Sequence, residues 1–247
     1  MSTIHSILLF IHIIVGSMAL LLFWVPIVTK KGGLDHRKFG RHYANTMYAV
    51  AASGALMALM VIFAPLMIKH QFVNENTNTE QLALKLRVFW SFLLYLSLLT
   101  FVNVRHGILV LKNKTQHTHM RQWPHLVSIA LLLAGGIMLL SVGIIYSNTL
   151  HIVFGLLGAV LAFQTGRFCL TNSVSANRWL VEHLSAFIGS GIGAYTAFLA
   201  FGGRSMFGEL GQWQIVFWIA PGVIGAMASA WMSRKYKNGL VVISKIN

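Results

Sequence analysis

Seven long apolar runs dominate the sequence and limit the folds that it can adopt. Each run has roughly 20 residues, the length that an α-helix needs to cross about 30 Å of hydrocarbon. Hydrophobic residues make up 56% of the chain and charged residues only 10%, an excess of apolar surface that no soluble domain requires. The runs therefore predict an all-α fold, a polytopic integral membrane bundle of seven transmembrane helices. Predicted helices 1 to 7 cover Ile4 to Thr29, Ala44 to Ile68, Val88 to Leu111, His125 to Ser147, Leu150 to Leu170, Trp179 to Phe201 and Gln212 to Met232.

The basic residues, which give a net charge of +14, are concentrated in alternate connections between these helices. By the positive-inside rule such connections are cytoplasmic, which predicts a bacterial inner membrane protein with its N-terminus outside and its C-terminus in the cytoplasm. The charge then serves topology and contact with anionic lipid headgroups, and nucleic acid is not expected as a partner. The residues concerned are Lys30, Lys31, Arg37, Lys38, Arg41, Arg105, Lys112, Lys114, Arg121, Arg167, Arg178, Arg234, Lys235, Lys237 and Lys245.

A short motif occurs twice, as HIIVG at His12 and as HIVFG at His151. A second histidine follows each motif at nearly the same spacing, His42 in the first case and His183 in the second. This duplication predicts two parallel internal repeats, helices 1–3 and helices 5–7, related by an axis along the membrane normal. The first repeat, the linking helix 4 and the second repeat then occupy residues 1–124, 125–148 and 149–247.

Two longer segments carry a family resemblance. KKGGLDHRKFGRHY after helix 1 and RWLVEHLSAFIGSGIGAYTAFLAF in helix 6 resemble the signatures of the bacterial domain-of-unknown-function 2306 family of predicted membrane proteins. The resemblance covers most of helices 1, 2, 5 and 6, and His36 and His183 match its pattern. It implies a membrane fold but no particular chemistry, because the family has no assigned activity.

The membrane histidines fall into two layers when depth is counted along the helices at about 1.5 Å per residue. His12 and His151 form an outer layer, near His5, and His106 and His183 form an inner layer with His42 and His125 at its edge. Ionisable groups at membrane depth are expensive and mark functional sites.

Bis-imidazole ligation of haem requires one neutral histidine from each of two facing helices. We therefore expect His12 and His151 to face each other, and His183 to pair with His106 or His42, as ligands of b-type haem. The predicted function is transmembrane electron transfer. The arrangement of paired histidines in two layers is similar to that of the ascorbate-linked cytochrome b family.

Polar residues of helices 3, 5 and 6 fall at a similar depth in the cytoplasmic third, and we expect them to avoid lipid. One interpretation is a site for a quinone headgroup or a haem propionate, in which Arg105 and Arg167 bind the anion and Glu182 handles a proton. The other is a buried ion pair that fixes helix packing. The members are Arg105, His106, Gln164, Arg167, Glu182 and His183.

Two further classes of function remain open from the sequence. An intramembrane zinc-dependent hydrolase would use His106, His125, His183 and Glu182 around a metal-bound water. A transporter or an accessory membrane subunit would need no cofactor. Because Cys169 is the only cysteine, we expect no disulfide, no iron–sulfur cluster and no cysteine zinc site.

Overall fold

The computed structural model describes residues 2–114, 117–171, 177–202 and 214–244, and within these ranges the chain is helical without a strand. The all-α prediction is confirmed. Short helical turns lie at Pro65–Ile68, His70–Phe72 and His117–Met120, and a π-helical turn at Phe198–Gly202 continues the sixth long helix. The long helices are α1 Ser2–Val28, α2 Leu34–Phe63, α3 Thr79–Asn113, α4 Trp123–Ile145, α5 Thr149–Leu170, α6 Arg178–Ala197 and α7 Gln214–Ser244.

Helices α1 to α6 are long and apolar enough to cross a membrane, α6 together with its π-helical turn. The apolar part of α7, Ile215–Trp231, is shorter. Large apolar side chains lie exposed on α1, with Phe10 at 65% and Leu21 at 75% of full exposure. Exposed apolar surface of this extent fits contact with lipid and not with water. The chain is thus a membrane helix bundle, whereas the parallel duplication stays a prediction.

The described residues divide into two compact units. The first comprises Met1–Val102 and Leu126–Gly166, and the second comprises Asn103–His125 and Arg167–Asn247. Helix α3 contributes residues to both units, as do α4 and α5.

Within the first unit, α4 and α5 cross with their backbones in close contact at glycines. A Cβ atom on Gly136 would lie 2.9 Å from the Ala159 amide nitrogen and 3.0 Å from the Gly155 carbonyl oxygen. The buried Tyr95 of α3 also reaches Gly136, and its hydroxyl donates to the Leu132 carbonyl at 3.2 Å. Small residues let membrane helices approach this closely, and van der Waals packing then stabilises the crossing.

Within the second unit, α6 packs on the C-terminal part of α3 at Gly107. A Cβ atom there would lie 2.7 Å from the Phe187 ring. His183 reinforces this contact, because its Nδ1 lies 3.0 Å from the Gly107 carbonyl oxygen and donates to it. His183 therefore has a packing role between α3 and α6.

Candidate metal centre

The second unit contains a buried cluster of potential metal ligands, His106, His125 and Cys169. One ligand atom from each residue can be chosen so that all three lie within 4.8 Å of one another. The three residues are only 3%, 0% and 0% exposed, respectively.

Three helices bring these side chains together, each from a different part of its length. His106 lies in the C-terminal part of α3, His125 in the first turn of α4, and Cys169 in the last turn of α5. Arg121 fixes the end of α5 by donating to the Cys169 carbonyl at 3.4 Å and to the Leu170 carbonyl at 3.0 Å. This bond satisfies carbonyls that the helix itself leaves unpaired, and it holds Cys169 beside the start of α4.

The separation of the two imidazoles suits a small ion. His106 Nδ1 and His125 Nε2 are hydrogen-bonded at 3.2 Å, and the two rings lie edge to edge, inclined by 17° with centroids 5.5 Å apart. At bonds of about 2 Å, two nitrogen ligands are about 3.3 Å apart as tetrahedral neighbours and about 4 Å apart on opposite sides of a metal. The observed distance matches the first case. Phe168 closes one side of the pair, edge-on to the His106 ring at 5.5 Å.

The other nitrogen of His106 faces a carboxylate. His106 Nε2 lies 3.8 Å from Glu182 Oε2, and Glu182 is 21% exposed. The second carboxylate oxygen, Oε1, accepts from Arg178 Nε at 3.1 Å, and Arg178 Nη2 also lies 3.1 Å from it. An ion pair with an arginine therefore does form, but its partner is Arg178, one turn away on the same helix.

Several polar residues that were predicted near the cytoplasmic side of the bundle are not members of the cluster of His106, His125 and Cys169. The Nε atom of Arg105 is buried and has no hydrogen-bond partner within the described ranges. Arg167 and Gln164 have exposed side chains, unlike the members of the buried cluster. His42 is also exposed, with its ring 6.3 Å from that of Phe39.

In the first unit, His5 of α1 contacts α3 and His12 of α1 contacts α2. His5 packs edge-on against Trp90 with centroids 5.4 Å apart. His12 Nδ1 lies 2.8 Å from Ser53 Oγ, beside Gly54, where a Cβ atom would meet both His12 and Ser97 of α3. Burial lowers the pKa of the Lys69 ammonium, which lies over the Trp90 ring at 4.9 Å.

His151 contacts the opposite face of α3. Its Nε2 lies 3.4 Å from the Val88 carbonyl, and its ring packs on Phe92 at 5.4 Å. Val88 and Phe92 are about 40° apart around a helix, whereas Trp90 lies about 200° from Val88. The body of α3, about 10 Å wide, thus separates His151 from His5. His12 contacts α2 and His151 contacts α3, and the expectation that these two imidazoles face each other stays a prediction.

Cys169 is the candidate ligand that sequence reasoning missed. A cysteine zinc site was not expected because there is one cysteine, but one thiolate is enough when histidines supply the other ligands. The separation of His106, His125 and Cys169 along the chain carries no metal-binding spacing, so the packing of α3, α4 and α5 is the only signal.

No family model matches this chain, and no curated protein or solved structure matches it either.

Proposed function

We propose that this protein transfers electrons within the membrane through one copper ion bound by His106, His125 and Cys169. The observation that supports the proposal is the buried set of two imidazoles and one thiol whose ligand atoms lie within 4.8 Å of one another. Electron transfer is the activity that the duplicated histidines predicted. The proposal changes the carrier from haem to a smaller centre.

The donor set favours copper. Soft thiolates select Cu(I) and zinc, imidazoles suit copper and zinc, and two histidines with one cysteine are the ligands of copper electron-transfer sites. Cycling between Cu(I) and Cu(II) moves one electron and needs no bond to a substrate. A buried site therefore suits this activity. The three ligand side chains are 0% to 3% exposed, and a dry hydrophobic shell limits the reorganisation around the ion.

Haem fits this pair of histidines less well. Two axial ligands of one iron lie on opposite sides of the macrocycle, about 4 Å apart, whereas His106 Nδ1 and His125 Nε2 are 3.2 Å apart. These two nitrogens lie within hydrogen-bonding distance of each other, which leaves no layer between the rings for a flat macrocycle. Haem and quinone binding elsewhere stay predictions that the same spectra test.

A zinc hydrolase is the second candidate, and the Glu182 carboxylate beside His106 favours it. A catalytic zinc keeps an open position for water and substrate. The burial of all three ligands argues against such an opening, so hydrolysis ranks below electron transfer.

The proposed orientation places this centre on the cytoplasmic side of a bacterial inner membrane. Basic side chains lie exposed at the start of α2, among them Arg37, Lys38 and Arg41. The positive-inside rule assigns that end of α2 to the cytoplasm, and alternation of the helices assigns the start of α4 and the end of α5 to the same side. The electron donor or acceptor on that side then exchanges with the centre from the cytoplasm or the inner leaflet.

Metal loading of the purified full chain tests the proposal. The protein in detergent is freed of metal with a chelator and is then titrated with Cu(II), with Cu(I) and with Zn(II) while bound metal and visible absorption are measured. We expect one copper per chain and an intense thiolate-to-Cu(II) band that disappears on reduction and is absent from Cys169→Ser. His42→Ala is the matched control, because its exposed imidazole lies outside the cluster.

Three results would overturn the proposal. They are the absence of stoichiometric copper, a spectrum that Cys169→Ser leaves unchanged, and a reduced spectrum with the sharp bands of haem. Stoichiometric zinc without copper binding would transfer support to the hydrolase.

A further inference from the structure

Glu182 is the one acidic residue within the seven predicted transmembrane helices. Its two carboxylate oxygens face different groups. Oε1 is held by Arg178, whose Nε and Nη2 both lie 3.1 Å from it. Oε2 is left to face the His106 ring, with 3.8 Å between Oε2 and Nε2. The arginine therefore fixes the direction in which the carboxylate presents its second oxygen.

His106 uses its two nitrogens in different directions. Nδ1 faces His125, at 3.2 Å from Nε2 of that residue. Nε2 faces Glu182, and it is buried without a hydrogen-bond partner within the described ranges. A buried imidazole nitrogen left unsatisfied is costly, and the Glu182 carboxylate is the acceptor that stands beside it.

We propose that Glu182 is a positioning residue for the copper centre, an inference that rests on the proposed function. By accepting the proton of His106 Nε2, the carboxylate keeps the lone pair on Nδ1, the nitrogen that faces the other ligands. A carboxylate behind a metal-bound histidine fixes its tautomer and its orientation and makes it a better ligand. The present separation of 3.8 Å exceeds a hydrogen bond, and a movement of less than about 1 Å closes it.

The charge of Glu182 also gives the two oxidation states of copper different stabilities. A nearby negative charge stabilises the doubly charged Cu(II) more than the singly charged Cu(I). Loss of the carboxylate therefore weakens Cu(II) binding more than Cu(I) binding and raises the reduction potential. General damage to the fold would weaken both states alike, so the difference between them separates positioning from a merely structural role.

The test compares Cu(I) and Cu(II) dissociation constants of the full chain in detergent for the wild type and for Glu182→Gln. We expect Cu(II) to bind Glu182→Gln about 10 to 100 times more weakly, with a clearly smaller loss for Cu(I). Glu80→Gln, which neutralises an exposed carboxylate in the first turn of α3, is the matched control and should match the wild type. Glu182→Asp keeps the charge and should restore part of the Cu(II) affinity.

Arg178→Gln is a second variant in case Glu182→Gln does not fold. It removes a positive charge from the same carboxylate at a side chain that is 56% exposed, so we expect the ratio of Cu(II) to Cu(I) affinity to change in the opposite direction. Equal Cu(II) affinity in Glu182→Gln and the wild type would overturn the role of Glu182, as would equal losses for both oxidation states. If the wild type binds no copper, the proposed function itself fails, and this inference fails with it.

Discussion

Replacing Gly136 by alanine should destabilise the membrane bundle, because the added methyl group meets backbone that cannot move aside. The new Cβ would lie 2.9 Å from the Ala159 amide nitrogen, 3.0 Å from the Gly155 carbonyl and 2.7 Å from the Tyr95 hydroxyl. The tyrosine ring is a side chain that can shift, but the first two atoms belong to the backbone of α5. The methyl group therefore forces α4 and α5 apart.

The expected change in the free energy of unfolding for Gly136→Ala follows from two opposing effects. Alanine in place of glycine stabilises a helix by about 0.5 to 1 kcal/mol, because less backbone freedom is lost on folding. Overpacking a tight contact costs about 1 to 3 kcal/mol, and a backbone obstacle places Gly136→Ala toward the upper part of that range. We expect a net loss of about 1 to 2 kcal/mol, which for a chain of this size corresponds to a fall of several degrees in the unfolding temperature.

Gly16→Ala is the matched control in the same unit. Gly16 lies within α1, and a Cβ atom there would meet nothing within 4 Å. Thermal unfolding of both variants in the same detergent, followed by tryptophan fluorescence, should show Gly16→Ala at least as stable as the wild type and Gly136→Ala less stable. If the two variants unfold at the same temperature, the close crossing of α4 and α5 does not exist.

Three further predictions address orientation, packing and the location of the centre. Alkaline phosphatase fused after Tyr146 should be active and a fusion after Lys237 inactive, and reversed activities would contradict the N-outside orientation. Gly107→Ala should lower the unfolding temperature because its methyl group would lie 2.7 Å from the Phe187 ring; an unchanged temperature would show that α3 and α6 pack differently. His151→Ala should still bind copper with the wild-type spectrum, since this ring packs in the first unit; loss of the band would move the centre there.

Much of the fold could be predicted from the sequence, because hydropathy reports directly on the membrane. The predicted boundaries were less accurate at the N-terminal ends. Helix α3 begins at Thr79, well before the apolar run that starts at Val88, and α2 begins at Leu34 instead of Ala44. Hydropathy detects only the part of a helix in hydrocarbon, whereas the helix itself continues through polar residues such as Lys85.

The site was harder to predict, because the duplication describes ancestry and not contact. It pairs His12 with His151, but the contacts of these two histidines are with Ser53 of α2 and with Val88 and Phe92 of α3, respectively. Cys169 carried no local signal, and its approach to the imidazoles depends on how three helices pack. Side-chain contacts between helices that are distant in sequence are the information that a single sequence does not contain.

X-ray absorption at the copper edge of the loaded full chain tests the central claim most directly, because it counts the atoms bound to the metal. We expect one sulfur and two imidazole nitrogens in the first coordination shell, with the sulfur replaced by a lighter ligand in Cys169→Ser. A first shell of nitrogen and oxygen alone in the wild type would contradict the assignment of the metal to His106, His125 and Cys169.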